Sequence, residues 1–163
     1  LKKYKLVGNI PYYITGYLFR IISELENKPS LIVLMIQKEV AERIVAQPPK
    51  MNLLAASIQI WAKPKIVAVL PATDFHPPPK VTSAIIKLET RDKKQEINLK
   101  NYYQLIKIIF KQPRKTILNN LSEELELSKE IIRKKLKNLD LSGEERGQDL
   151  SVETLVKISE ILF

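Results

Sequence analysis

Asn9-Ile10-Pro11-Tyr12 is the stretch of this sequence whose residue types can do chemistry together. Asn9 offers a side-chain carbonyl. A residue before proline is pushed toward extended geometry, which keeps the Ile10 backbone carbonyl out of a helix. Pro11 stiffens the turn and adds a carbonyl of its own. Tyr12 offers a flat ring. Carbonyl acceptors beside an aromatic face suit a planar base carrying an exocyclic amino group. The amino group donates two hydrogen bonds, and stacking of a base on a ring is worth roughly 1–3 kcal/mol. The plain alternative is a strand-to-turn junction with no ligand. Four residues alone do not separate the two.

Charge favours the same class of partner. The 163 residues carry a formal net charge of +9, with a pI near 9.6. That suits a polyanion, nucleic acid ahead of acidic membrane; a lysine-rich but ordinary protein is the bland alternative. Residues 1–91 hold 13 Lys/Arg against 6 Asp/Glu, and residues 92–163 hold 14 against 12. The second part still has one purely basic stretch. From Asn98 to Ser122 the charged residues are Lys100, Lys107, Lys111, Arg114 and Lys115. The chain has no cysteine and a single histidine, His76. That excludes a disulfide framework and a thiolate or multi-histidine metal site. No apolar run approaches the ~20 residues of a membrane span, and no signal peptide is visible. A monomeric cytoplasmic protein is expected. The first residue is Leu1 rather than Met, which points to a fragment.

The tetrapeptide needs elements to position it. Residues 5–9 read as a short buried strand. Gly16–Leu25 reads as a helix capped by Thr15, with Leu18, Ile21, Ile22 and Leu25 inward. Leu31–Ile36 is a continuous apolar run, as in a parallel strand covered on both faces. Lys38–Ala46 is helical, with Val40, Ala41, Ile44 and Val45 inward. Asn52 caps a helix to about Ala62, which Pro64 stops. Lys65–Leu70 and Val81–Leu88 are strands joined by the proline-dense loop 71–80, too short for a parallel crossover, so that pair is expected to be antiparallel. Arg91–Glu96 is a charged linker and the expected domain boundary. After it come helices over Leu99–Lys111, Thr116–Leu121, Ser128–Lys137 and Ser151–Leu162. The reading is α/β plus α: residues 1–91 with a parallel-type sheet, residues 92–163 all-helical.

In this order of elements, four spaced blocks carry a resemblance. They are Val7-Gly8-Asn9-Ile10-Pro11-Tyr12 with Ile14-Thr15, Gln37–Ile44, Phe75–Ala84, and Phe110–Thr116 with Asn119-Asn120-Leu121. The chain resembles the KsgA family of small-subunit ribosomal RNA adenine dimethyltransferases, from mid catalytic domain onward. The resemblance implies the C-terminal half of a Rossmann-like methyltransferase sheet followed by a helical RNA-binding domain. It implies S-adenosyl-L-methionine as cofactor and 16S ribosomal RNA, or the small-subunit precursor, as partner. It further implies N6,N6-dimethylation of adenine, with a role in small-subunit biogenesis. That family holds its cofactor through a Gly-rich turn and an acidic residue upstream of the Asn-Ile-Pro-Tyr block. This chain has no such turn, so only Asn9 carries over, as a partial cofactor contact. The chain by itself is expected to bind the cofactor weakly or not at all. Two positions depart from the family: Pro113 stands where an arginine is usual, and Met51-Asn52 where Tyr-Gly is usual.

On this reading the Asn9 side chain and the Pro11 backbone carbonyl accept from the adenine amino group. Tyr12 stacks on the base, and Phe75 resembles the family's second aromatic, on the other side. Tyr12 as a core aromatic and Phe75 as a packed loop residue are the alternatives. His76 is not taken as a base, because the amino proton becomes acidic once the nitrogen is quaternised. Lys107, Lys111, Arg114 and Lys115 are expected to touch RNA phosphate, against the alternative of a solvated helix face. Arg43 is expected to reach RNA, while Lys38–Glu42 and Glu39–Arg43 read as i,i+4 ion pairs. An Erm-type dimethyltransferase of large-subunit RNA shares the tetrapeptide and is one competing reading. A non-catalytic RNA-binding or ribosome-assembly module is the other.

Overall fold

The computed structural model describes residues 3–91 and 97–163. The elements are β1 (Lys5–Asn9), α1 (Thr15–Glu24), β2 (Leu31–Gln37), α2 (Lys38–Val45), α3 (Leu53–Gln59), β3 (Ala62–Leu70) and β4 (Ser83–Thr90). Then come α4 (Leu99–Ile109), α5 (Ile117–Leu125), α6 (Lys129–Lys137) and α7 (Val152–Leu162). Strands alternating with helices, then helices only, match the expected α/β plus α class.

The strands form one mixed sheet in the order β1-β2-β4-β3. β1 and β2 run parallel, with Asn9 opposite Met35. β4 enters between β2 and β3, antiparallel to both. The short connection predicts the β3–β4 arrangement. Ile32, Leu34 and Ile36 of β2 share a face with Ala84, Ile86 and Leu88 of β4, and all six are buried. On the other face Leu31, Val33, Met35 and Ile85 are only half-buried, and Val7 of β1 is 74% exposed. Two expectations therefore change. Among the described residues β1 pairs only with β2, and its side chains alternate between exposed and half-buried. β2 is not covered on both faces by described residues. An apolar run states what a surface accepts, and the topology decides what covers it.

Two local readings are corrected as well. Pro64 does not stop a helix; α3 ends at Gln59 and Pro64 lies inside β3. A proline is tolerated there because β3 is an edge strand, where one side of the ladder is unpaired. Helix α1 starts at Thr15, directly after a 3-10 turn over Tyr12–Ile14. Its buried line is Thr15, Phe19 and Ile22, spaced i, i+4, i+7, which leaves Ile21 and Leu25 exposed. The Thr15 hydroxyl donates back to the Tyr12 carbonyl at 2.8 Å rather than capping a helix from outside it.

The chain divides into two compact units, Leu1–Val45 with Ile58–Asp92, and Ala46–Ser57 with Lys93–Phe163. The expected boundary lies in the linker, of which residues 92–96 fall outside the described residues. Residues 46–57, read as part of the first domain, group with the helical unit instead. Met51 is buried there and its N–H donates to the Gln148 carbonyl at 3.1 Å. The Tyr102 hydroxyl donates to the Ala56 carbonyl at 3.0 Å. These buried bonds outweigh adjacency in sequence.

Within the helical unit, α4 buries Tyr102, Leu105, Ile106 and Ile109 as its periodicity predicts. It stops at Ile109, ahead of Pro113, and the buried Asn120 amide donates to the Ile109 and Gln112 carbonyls at 3.1 and 3.2 Å. That bond pair satisfies carbonyls that the helix end leaves open. Ser128 and Ser151 cap α6 and α7 as expected, each accepting from the backbone N–H three residues on. A Cβ on Gly147 would lie 2.6 Å from Ile109 Cγ2. Only glycine lets the chain pass the end of α4 so closely.

Candidate functional site

The site begins where β1 runs out. Asn9 is the last residue of the ladder and is exposed. Ile10 lies beyond it and takes no turn or side-chain hydrogen bond from a described residue. Pro11, at φ −58° and ψ 134°, keeps the chain extended for one more residue. The 3-10 turn then closes, with the Ile14 N–H donating to the Pro11 carbonyl at 3.2 Å. The expected second acceptor is thus already engaged by the turn that follows it.

Asn9, Ile10, Pro11 and Tyr12 line an open cleft of about 430 Å³. Phe75, His76, Pro77 and Pro79 line the same cleft, with Met35 also contributing. The fold therefore brings the tetrapeptide and the proline-dense loop together from distant parts of the chain. Tyr12 and Phe75 are half-buried, so each has a surface to offer, while His76 is exposed. Met35 was legible only as part of an apolar run; its place opposite Asn9 follows from the parallel register.

Tyr12 is held at both ends. Its carbonyl accepts from Thr15, and its phenol oxygen lies 2.6 Å from the Ser83 hydroxyl oxygen. Ser83 is the fully buried first residue of β4. It stands in a block that resembles the family, yet nothing in its side chain alone marks it. Just before it, the Thr82 carbonyl accepts from the Lys38 N–H at 3.0 Å. A second, smaller cleft of about 280 Å³ lies there, lined by Gln37, Lys38, Glu39, Glu42, Val81 and Thr82. Two of these, Lys38 and Glu42, one turn apart on α2, form an ion pair at 3.6 Å. Arg43 is on the same helix, exposed.

The basic stretch fares differently. All four of Lys107, Lys111, Arg114 and Lys115 lie in the helical unit. Lys111 pairs with Glu124, and Lys115 pairs with Glu123 at 2.6 Å. Both acids lie just past the window that reads as purely basic, and the turn into α5 carries them back. Lys107 and Arg114 are exposed and form no ion pair with a described residue. Exposed pairs of this kind are worth about 0–1 kcal/mol, so a phosphate can compete for Lys111 and Lys115. Among the described residues no cluster of His, Cys, Asp and Glu could hold a metal ion, and no helix is long and apolar enough to cross a membrane.

Comparison with known proteins bears on the same residues. The chain is 40% identical over 152 residues to a Ribosomal RNA small subunit methyltransferase A of Dehalococcoides mccartyi, covering 92% of this chain and 52% of that protein. It is 39% identical over 170 residues to the protein of that name from Bacillus pumilus, covering 99% and 58%. The chain thus spans little more than half the length of these relatives. The crystal structure of a dimethyladenosine transferase from Plasmodium falciparum superposes with a TM-score of 0.83 at 25% identity, over 97% of this chain and 66% of that one. The 23S rRNA methyltransferase ErmE gives a TM-score of 0.74 at 20% identity, over 99% and 66%, a likeness of fold alone. These likenesses agree with a Rossmann-like methyltransferase fold with a helical part. The model of the family described as Ribosomal RNA adenine dimethylase matches residues 1–162, and the chain belongs to that family.

Proposed function

We propose that this chain is the base-presenting and RNA-binding part of an enzyme that dimethylates adenine N6 in small-subunit ribosomal RNA. One observation carries the reading: Asn9, Ile10, Tyr12 and Phe75 line a single cleft. The exocyclic nitrogen of adenine is a poor nucleophile, because its lone pair is delocalised into the ring. Two acceptors aimed at its N–H bonds hold it with that lone pair turned outward. The Asn9 side chain is the first acceptor. The Ile10 carbonyl is the better second, since the Pro11 carbonyl already accepts from Ile14. Tyr12 and Phe75 supply faces for a base that is unpaired or flipped out. No base residue is needed before attack, and exposed His76 is assigned no proton.

S-adenosyl-L-methionine, when bound, supplies the methyl group. Of the residues here, exposed Asn9 at the strand end fits an edge of its site, and the chain has no Gly-rich turn to cradle the rest. We therefore expect calorimetry on this chain to detect no tight binding of S-adenosyl-L-methionine; a dissociation constant in the low micromolar range would contradict that. Lys107, Lys111, Arg114, Lys115 and Arg43 are proposed as phosphate contacts. The names of the relatives and the Arg114-Lys115-Thr116 and Asn119-Asn120-Leu121 blocks support the small subunit as the target. A protein of the relatives' length should form dimethyladenine in small-subunit RNA. Product in large-subunit RNA instead would favour the Erm-type reading, and no product in either would favour an RNA-binding module.

A further inference from the structure

We infer that Ser83 is a positioning residue: its hydroxyl fixes the direction in which the Tyr12 ring points, so that the cleft accepts a purine between Tyr12 and Phe75. The inference rests on the base-stacking reading above. The main chain at Tyr12 is fixed by the Thr15 hydroxyl on its carbonyl and by the turn that closes on Pro11. Those bonds leave the two side-chain torsions free. A ring at an open cleft then has several staggered wells to choose from. The hydrogen bond at 2.6 Å between the phenol and Ser83 grips the ring at its far end and selects one of them.

The grip is anchored on a rigid element. Ser83 opens β4, paired with Gln37 on one side and Leu70 on the other. It is fully buried, and a buried hydroxyl is costly unless it is bonded. Its bond to Tyr12 is what offsets that cost. The same strand start ends the loop that carries Phe75, and the Lys38 N–H pins that loop at Thr82. One short segment, Thr82-Ser83, therefore references both aromatic faces to the sheet. The phenol oxygen is occupied by this role, and what it leaves for the ligand is the ring face.

The alternative is a small core serine that merely satisfies itself. A binding cycle on this chain separates the two. The probe is an oligouridine strand carrying one 2-aminopurine, whose fluorescence changes when the base leaves its neighbours and stacks on a ring. Ser83→Ala and Tyr12→Phe remove the same hydrogen bond from opposite ends. Each should weaken capture of the probe by about two- to tenfold, the range for one intramolecular hydrogen bond. The double variant should be no weaker than either single one, and Tyr12→Ala should be weaker than all three. If Tyr12→Ala weakens capture but Ser83→Ala and Tyr12→Phe leave it unchanged, or their effects add, the positioning role is overturned while base stacking stands. If Tyr12→Ala changes nothing, the base does not sit on Tyr12 and both readings fall. Should Ser83→Ala not fold, Tyr12→Phe decides alone, because it opens no cavity in the sheet.

Discussion

In the cleft of the first unit, the groups proposed to face a base are uncharged side chains and carbonyls held by short-range geometry. Asn9 ends a ladder, Pro11 closes a turn, and Tyr12 is bonded at both ends. In the helical unit, the groups proposed to meet RNA are charges on long flexible stems. Two of them, Lys111 and Lys115, already have carboxylate partners from the next helix. Neutral acceptors are aimed by backbone dihedrals, which neighbouring residues dictate. Charges attract across space and take whatever partner the fold delivers. A run without acids in sequence is therefore a poor guide to a run without acids in three dimensions.

The largest expected effect tests the aimed half of that contrast. In a protein of the relatives' length, Asn9→Ala should lower the methylation rate about a hundredfold, comparable to deleting one polar group that stabilises a transition state. RNA affinity should change by less than about threefold, since the lost acceptor belongs to the reacting geometry. Near-normal turnover in a single-turnover assay would remove Asn9 from the mechanism.

Salt titrations probe the charged half. Replacing Lys107 and Arg114 together by alanine should reduce the slope of log affinity against log salt by roughly 1.4–1.8 units, the release expected for two phosphate contacts. Replacing Lys111 and Lys115 together should reduce it less, because each already shares its charge with a glutamate. Equal reductions would mean that RNA displaces both glutamates on binding. No reduction in either variant would remove this surface from the RNA interface. Glu123→Gln with Glu124→Gln should act in the opposite sense and tighten binding modestly.

The smallest effect concerns a carboxylate whose partners are as local as those of the cleft. Burial raises the pKa of Glu145, but bonds from Ser142, its own N–H and Gly143 outweigh that and leave it lowered. The Ser142 and Gly143 N–H groups donate at 3.0 and 2.8 Å. A carboxylate with a lowered folded pKa stabilises fully above its unfolded value, about 4.3, and that stabilisation is lost as pH falls through the folded value. Glu145→Gln should accordingly flatten the loss of stability below about pH 4, read by denaturant titration at several pH values. A parallel acid limb in both proteins would deny Glu145 this role.

Much of this was legible in the residues. The strand and helix order, the caps at Asn52, Ser128 and Ser151, and the meeting of the tetrapeptide with Phe75 all rest on local chemistry or on several blocks read together. What escaped has a common cause. Pro64 is acceptable in a strand only because that strand is at an edge, and edge position is set by β4 inserting elsewhere. The Pro11 carbonyl is engaged because the helix starts through a 3-10 turn, which no residue type demands. The grouping of 46–57 with the helical unit depends on Gln148 and Tyr102, far along the chain. Ser83 is an ordinary small residue until the sheet places it under a phenol.

The strand order has a kinetic consequence. Tyr12 and Ser83 are 71 residues apart in the chain, and they meet only after β4 has inserted between β2 and β3. Contacts of such sequence separation carry a large loop-closure cost and form slowly. The tetrapeptide and its turn can form early, from neighbours alone. The cleft cannot, because half of its wall arrives with the last strand. A copy in which β4 has not yet paired would therefore present Asn-Ile-Pro-Tyr without the Ser83 bond to Tyr12.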